Sequence, residues 1–466
     1  MNNYQLIIIG AGSGGLVAAE LAAKLGVKVA LVEAKQELGG ECLHSGCVPS
    51  KSLIHVARSV WQAGHSQSIG LRANLVVDFN KATEHIQQSI DTITSNHDND
   101  DYYQQLGVEM FHGKASFINS QTIIVNGRQL KAKRFIIATG SIPAIPTIPG
   151  LANGDYLTNE TIFKLNSLPA SLAVIGGGPI GCELGQAFAM LGSQVTIVQS
   201  SDRLLPRDEI EASALLGQSF EKMGIRLALK AEIMNITFSN DNVEIKLKDN
   251  QLIVADKLLV ATGRQATIPA GLETAGVEAG ARGIKVNSRM QSTNKHIYAI
   301  GDCNGGLQFT HAAAQQAIVA VKNALGLSKQ GFDSSTIPWT TFTTPEIAHL
   351  GEIKADLDEK KLKYNLVRAN FSDIDKAITE KEEGFIEILI GQKNKILSAT
   401  VVGVNAAEIL AQVVTAKSWK NFAGIVQAYP TYAGGLRQTA GNYNFDKLLT
   451  SSLGKVIKNY IKLRNK

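Results

Sequence analysis

Apolar residues open the chain in a nearly unbroken run, "YQLIII" over residues 4–9, which stops at the glycine cluster "GAGSGG". Behind it, "LVAAELAAKLG" repeats its apolar positions at helical spacing, and "KVALVEA" is a second apolar run. A strand buried on both faces shows no polar alternation, so this order of run, turn, helix and run predicts a parallel beta-alpha-beta unit. The pattern returns in "LAVIGGGPIGCELGQAFAMLGSQVTIVQ", and further apolar runs end in glycine turns at "RFIIATG", "LLVATGR" and "HIYAIGDCNG". From residue 336 the segments shorten: "TIPWTTFTTPEIAHLG", "GFIEILIG" and "KILSATVVGVN" alternate as strands do, and "AAEILAQVVTAKSW" reads as a helix. The polar stretch 81–106 predicts a helix pair or one long surface helix.

The glycine clusters give these units a chemistry. Gly10, Gly12 and Gly15, with Ser13 and Gly14 between them, have the G-x-G-x-x-G spacing that allows a tight turn, approach of a pyrophosphate and close helix packing. Glu33 ends the following strand, where a carboxylate accepts a ribose hydroxyl. Gly176, Gly178 and Gly181 repeat the spacing, and Gln199 takes the place of Glu33. The expected architecture is α/β, with two Rossmann-like dinucleotide-binding folds and a third, α+β region. Proline-rich "SIPAIPTIPG" makes a crossover near residue 150, and the later apolar runs return the chain to its first fold. The expected segments are 1–150, 151–260, 261–335 and 336–466.

Composition narrows the class. A chain of 466 residues holds several cores, and 44% hydrophobic with 19% charged residues exclude a disordered protein. The net charge of +5 is small, and Lys and Arg do not cluster before the tail "KVIKNYIKLRNK", so no nucleic-acid partner is expected. That tail is mildly amphipathic and reads as a solvated terminal helix, with contact to a membrane surface as the alternative. The opening run lacks the basic leader and cleavage pattern of a signal peptide, and no run of 18 apolar residues predicts a transmembrane segment. Only Cys42, Cys47, Cys182 and Cys303 occur, a sparse usage that fits a reducing, cytoplasmic compartment. Cys182 and Cys303 adjoin glycine turns and are expected to be packing residues.

The other two cysteines lie close together in "GGECLHSGCVPSK", Gly39 to Lys51. A structural zinc site needs about four ligands. His44 brings the local set to three at most, so no metal site is expected. "GCVPSKSLIHVARSVW" reads as a helix starting at the pair, and the free N–H groups of a helix start favour thiolate over thiol. Facing a flavin, such a pair exchanges two electrons as its disulfide is reduced; an inert reduced pair is the alternative.

The C-x4-C-V-P-S-K block, both glycine turns and "IYAIGD" resemble the flavoprotein pyridine nucleotide-disulfide oxidoreductases, which include dihydrolipoamide dehydrogenase, glutathione reductase and mercuric reductase. The resemblance extends over nearly the whole chain. It implies an FAD-dependent enzyme that takes electrons from NADPH or NADH and forms a homodimer through residues 336–466. By this resemblance Cys42 is the interchange thiol, Cys47 is the thiol beside the flavin, and Lys51 and Glu183 form an ion pair near flavin and nicotinamide. Gly10, Gly12, Ser13, Gly14, Gly15, Glu33, Gly40, Lys51, Thr139, Gly140, Gly301 and Asp302 fall on the FAD side, with Gly113 or Lys114 near the adenine. Gly176, Gly178, Gly181, Gln199 and Arg203 fall on the nicotinamide-cofactor side, and Gly263 joins the cofactor-binding set. Gln199 does not repel a 2'-phosphate as a glutamate would, and Ser200, Arg203 or Arg207 can meet one, which leans the expectation to NADPH.

One motif departs from the family. Enzymes acting on glutathione or dihydrolipoamide carry H-P-T-x-x-E, whose histidine moves a proton to or from the interchange thiol. Here "YPTYAG" puts Tyr429 at the histidine position and Gly434 at the glutamate position. A tyrosine hydroxyl, with an ordinary pKa of about 10, is a poor base at pH 7. Tyrosine at this position resembles mercuric reductases, whose thiolate-bound metal does not need that proton relay. The expected function is therefore a mercuric-reductase-like NAD(P)H oxidoreductase working through a Cys42–Cys47 disulfide. No metal-carrier domain is expected before residue 4, and the tail has no vicinal cysteine pair to pass a metal inward. The alternatives are dihydrolipoamide dehydrogenase or another disulfide reductase, an NAD(P)H-quinone or metal reductase, and a flavin-binding sensor without turnover.

Overall fold

The first apolar run is β1 (Asn2–Ile9), the helix behind it is α1 (Ser13–Lys24), and the second run is β2 (Val29–Glu33) in the computed structural model, which describes residues 2–464 except 73, 153 and 417. β1 lies parallel to β2 and to the strand Arg128–Ile137. Successive side chains of a strand point to opposite faces, and both faces of this sheet are covered. Leu6 and Ile8 join one core with Leu31, Ile136 and three alanines of α1, Ala18, Ala19 and Ala22. Ile7 and Ile9 join another with Ala30, Val32, Phe135 and Ile137. The return of the chain is seen directly: the strand Ile297–Ala299 pairs with Phe135–Ile137, and the helix Thr310–Ala324 adds Ala317, Ala320 and Val321 to the core over α1.

A second parallel sheet runs in the order Arg226–Ala228, Gln194–Val198, Ser171–Ile175, Lys257–Val260. The helix Pro179–Leu191 follows its glycine turn, and an antiparallel sheet of Ile233–Phe238, Val243–Leu247 and Leu252–Ala255 shares its core. The polar stretch forms two helices, Phe79–Asn96 and Asp100–Gln105. Phe79, Ala82, Ile86 and Ile90 bury one stripe of the first, and the Asp78 carboxylate caps it by accepting from the N–H groups of Asn80 and Lys81.

Residues Met1–Asp202 and Met223–Ser334 form one compact unit; Arg203–Lys222 and Ser335–Lys466 form the other. The second unit holds an antiparallel sheet in the order Trp339–Thr341, Glu346–Gly351, Ile396–Gly403, Phe385–Ile390, Asn365–Asn370. Phe371, Trp419, Phe422 and Leu436 fill its core. The helices Gly434–Thr450 and Ser452–Arg464 carry the tail, whose last two residues lie outside the described residues. Among the described residues no helix is long and apolar enough to cross a membrane.

Candidate active site

Both glycine turns are built the same way. Gly10 has φ +105°, and a Cβ there would lie 2.3 Å from the Ala138 carbonyl oxygen; at Gly15 it would lie 1.8 Å from the Gly10 oxygen. The repeat matches: Gly176 has φ +111° with Ala261 O at 2.3 Å, and Gly181 meets Gly176 O at 1.9 Å. The first and last glycine of each motif are therefore demanded by backbone contact inside the fold.

The thiol loop is stitched to the first turn. The N–H of Gly39 donates to Ala11 O at 2.9 Å, and a Cβ on Gly40 would lie 2.8 Å from the Gly12 Cα. Two helices follow, α2 (Gly40–His44) carrying Cys42 and α3 (Cys47–His65) starting on Cys47. Both cysteines are free thiols. The two thiols are close enough that the acidity of each depends on the other, and the Thr310 hydroxyl reaches both, 3.2 Å from Cys42 Sγ and 3.4 Å from Cys47 Sγ. Cys47 is lowered to about 6, first by the hydrogen bond from Cys42 and then, against burial, by Thr310 and the charge of Lys51. Cys42 is pushed up strongly, because its hydrogen bond with Cys47 holds its proton and because it is half-buried. The anion therefore sits on Cys47 and the proton on Cys42. Removing the donor with Cys42→Ala is expected to move the Cys47 midpoint from about 6 toward the ordinary thiol value of about 8.5. A thiolate-absorbance titration of the reduced holoprotein reads it directly, and an unmoved midpoint would refute the hydrogen bond as the main cause.

Lys51 stands one turn after Cys47 on α3, so its ammonium shares a helix face with that sulfur. Its Nζ lies 2.7 Å from Glu183 Oε2, on the buried side of the helix Pro179–Leu191. A carboxylate only 7% exposed requires such a partner. A dithiol with one proton, a cation beside its anion and a dinucleotide turn against it is the layout of a thiol redox centre.

A family model described as pyridine nucleotide-disulphide oxidoreductase matches residues 4–317, and the dimerisation domain of the same family matches 337–440. The chain belongs to this family. A mercuric reductase of Staphylococcus aureus is 34% identical over 460 residues, covering 96% of this chain and 83% of the relative. A dihydrolipoyl dehydrogenase of Bacillus subtilis is 31% identical over 468 residues, covering 94% and 97%. The HOCl-induced flavoprotein disulfide reductase RclA of Escherichia coli, 25% identical, superposes with a TM-score of 0.83 over 94% of this chain and 99% of its own. As a pyridine nucleotide-disulphide oxidoreductase, the protein is an FAD-dependent enzyme of a family that uses NAD(P)H. Its two Rossmann-like folds and C-terminal α+β dimerisation domain are as the sequence implies.

The residues present fit these two dinucleotides. A Cβ on Gly12 would meet nothing nearer than the Gly40 Cα at 4.0 Å, and one on Gly178 would meet nothing within 4 Å. Each turn thus keeps its middle glycine open while the outer two are packed. Glu33 Oε2 accepts from the Ala11 N–H at 2.6 Å and Oε1 from the Lys35 N–H at 3.0 Å. Gln199 reproduces the first bond without charge, its Oε1 accepting from the Gly177 N–H at 3.0 Å. Thr139 Oγ1 donates to Thr267 O at 2.6 Å, Gly140 O accepts from the Thr267 N–H, and Gly263 O accepts from the Ala144 N–H at 2.9 Å. The Gly301 N–H donates to Gln316 Oε1 at 2.8 Å, and Lys114 is exposed.

Half-buried His44 turns Nε2 to the Leu38 carbonyl at 2.6 Å. Cys182 and Cys303 are fully buried, and burial pushes Cys303 up to about 11, so both are packing residues as expected. Arg203 and Tyr429 belong to the second unit. Arg203 Nη2 donates to Pro206 O at 2.9 Å; Tyr429, 80% exposed, donates its hydroxyl to Asp375 Oδ2 at 2.7 Å, and Gly434 opens the following helix.

Folding also assembles residues of this oxidoreductase that sequence reading passed over. Thr310, the first residue of its helix, is one. Another is Arg264, whose side chain is only 9% exposed between two carboxylates, Glu41 and Asp302. Its Nε lies 2.8 Å from Ser141 Oγ and 3.3 Å from Asp302 Oδ2, Nη2 donates to Ser141 O at 3.0 Å, and Glu41 accepts from its outer nitrogens. Ser141 in turn donates to Asp302. Asn159 Nδ2 donates to Glu41 Oε1 at 2.8 Å and to Ser45 O at 3.1 Å. Burial pushes the Glu41 carboxyl up to about 7 despite Arg264, with the nearby charges of Asp302 and Cys47 adding to the rise. Glu41 directly precedes Cys42 and Arg264 directly follows Gly263, so each stood beside a residue already singled out.

Proposed function

We propose that the protein is an NAD(P)H-dependent reductase that delivers electrons through the Cys42–Cys47 pair to a thiophilic acceptor, with Hg(II) the leading candidate. The observation that carries this reading is the thiol pair itself, Cys42 and Cys47 both within 3.4 Å of the Thr310 hydroxyl, with Lys51 one turn on and held 2.7 Å from Glu183; this setting favours the anion on Cys47 and the proton on Cys42. Bound FAD supplies the two-electron relay between nicotinamide and sulfur. Reduction of the Cys42–Cys47 disulfide breaks the S–S bond with two electrons and one proton, leaving the Cys42 thiol and the Cys47 thiolate. Lys51, held by Glu183, balances that negative charge, and the Thr310 hydroxyl donates to the Cys42 sulfur while lying 3.4 Å from that of Cys47. Cys42 loses its proton when the pair takes up a thiophilic ion. In the net reaction NADPH and Hg(II) give NADP⁺, a proton and elemental mercury.

The similarity to mercuric reductases supports this acceptor, as does Tyr429 in place of a basic histidine. The dihydrolipoyl dehydrogenase relatives keep a second reading open, against which Tyr429 and Gly434 stand. On the same reading, 1–150 and 261–335 hold FAD, 151–260 holds NAD(P)H, and a cytoplasmic homodimer brings Tyr429 to the partner's thiols.

Anaerobic assays of the holoprotein with NADPH and NADH, followed by Hg(II), oxidised lipoamide, glutathione disulfide or a quinone, test the proposal. Hg(II)-dependent NADPH oxidation that disappears in Cys42→Ala is the expected result. If Hg(II) changes nothing while a disulfide or quinone accelerates oxidation, the mercuric reading is wrong; if none of these does, the acceptor belongs to another class. Gln199→Glu keeps an acceptor for the Gly177 N–H but adds a charge facing a 2'-phosphate. It is expected to raise the KM for NADPH about tenfold or more with little change for NADH; equal effects on both would remove Gln199 from cofactor choice.

A further inference from the structure

The helix Ser452–Arg464 lies beyond the residues matched to the family's dimerisation domain, and no part of the active-site chemistry uses it. At about 100° per residue, Leu453, Val456, Ile457, Tyr460, Ile461 and Leu463 fall on one arc of about 160°. All six are exposed, from 37% at Ile457 to 75% at Leu463. Lys455, Lys458 and Lys462 occupy the opposite arc, and Arg464 ends the helix within the apolar one. Only Gly454 of this helix is buried, where a Cβ would lie 2.0 Å from the Leu448 carbonyl; the helix is seated on its neighbour by that glycine and presents its apolar arc outward.

Charge decides what covers that arc. Residues 447–466 carry six Lys or Arg and no acid, more positive charge than the net +5 of the whole chain. A surface of anionic headgroups over acyl chains matches a helix that is apolar on one arc and carries charge of one sign only. We propose that Ser452–Arg464 is an interfacial helix that docks the protein on membranes containing anionic phospholipid. Its apolar arc enters the headgroup boundary and its lysines meet lipid phosphates.

The test is co-sedimentation of the full-length holoprotein with vesicles of phosphatidylcholine alone or with about 30% phosphatidylglycerol. Anionic vesicles are expected to raise the partition coefficient about tenfold or more, and about 0.5 M salt to reverse most of the gain. Lys455→Gln/Lys458→Gln/Lys462→Gln is expected to remove the preference for anionic lipid. Ile457→Asn/Ile461→Asn is expected to remove binding, and both variants to keep NADPH oxidation with a soluble acceptor. Equal binding to both vesicle types, or no binding, overturns the proposal. If the apolar variant instead splits a dimer in sedimentation and vesicles capture nothing, the arc is a subunit interface. Should the apolar variant aggregate, the lysine variant decides alone. Vesicle binding is read without any electron acceptor, so its outcome is independent of the Hg(II) assignment.

Discussion

Replacing Cys47 by serine is expected to abolish the long-wavelength absorbance of the reduced holoprotein and to lower acceptor reduction by about 10³-fold or more. Three features concentrate the anion on this sulfur: the neighbouring Cys42 thiol, the Thr310 hydroxyl 3.4 Å away, and the charge of Lys51, which Glu183 holds in place. A serine hydroxyl stays neutral at pH 7, so on the proposed assignment of Cys47 to the flavin side the thiolate–flavin charge transfer that gives this band is lost while the fold around α3 is retained. Cys42→Ser removes the partner sulfur and should abolish turnover as well, but its hydroxyl replaces the thiol as a donor to Cys47 and so keeps the thiolate and the band. The contrast between the two variants is the decisive measurement. A band that survives in Cys47→Ser, or vanishes only in Cys42→Ser, would reverse the roles assigned to the two sulfurs.

Glu41→Leu is expected to destabilise the holoprotein by about 3 kcal/mol, because it strips a buried guanidinium of one of its two carboxylates. Arg264 is left with Asp302 and Ser141, and the outer nitrogens that faced Glu41 lose their acceptor. Glu41→Gln keeps an oxygen for Arg264 and should stay within about 1 kcal/mol of the wild type. The pair also separates by pH. A carboxyl raised from 4.5 to about 7 by folding binds its proton more tightly folded than unfolded. Its contribution to stability is fully present below 4.5 and is lost as pH rises through about 7. Urea unfolding midpoints between pH 5 and 8 should therefore fall for the wild type relative to Glu41→Gln. Glu41→Leu unfolding at the wild-type midpoint would show that Asp302 and Ser141 satisfy Arg264 unaided.

Legibility in the sequence tracked how local each constraint is. The glycine turns were readable because the spacing of Gly10, Gly12 and Gly15 is itself the constraint: a Cβ at either end collides with backbone a few residues away or on the adjoining strand. The helix start at Cys47 was readable for the same reason, since a glycine precedes it and an amphipathic stretch follows. Thr310 escaped because a threonine at a helix start has an ordinary capping explanation. Nothing in its neighbourhood signals two sulfurs more than 260 residues away. Arg264 escaped in the same way, since it meets Glu41 across a separation of 223 residues.

By itself the sequence determined the parallel βαβ units, the duplicated dinucleotide turns, the proximity of two thiols and the loss of a histidine at Tyr429. Each follows from residue type and short-range spacing, which limit backbone conformation and chemistry before any long-range contact forms. Only the tertiary structure decided which sulfur carries the charge, because acidity depends on burial and on partners brought from distant segments. It likewise paired Glu41 with Arg264 and left the apolar arc of the last helix uncovered, since burial is a property of what packs against a residue and not of the residue.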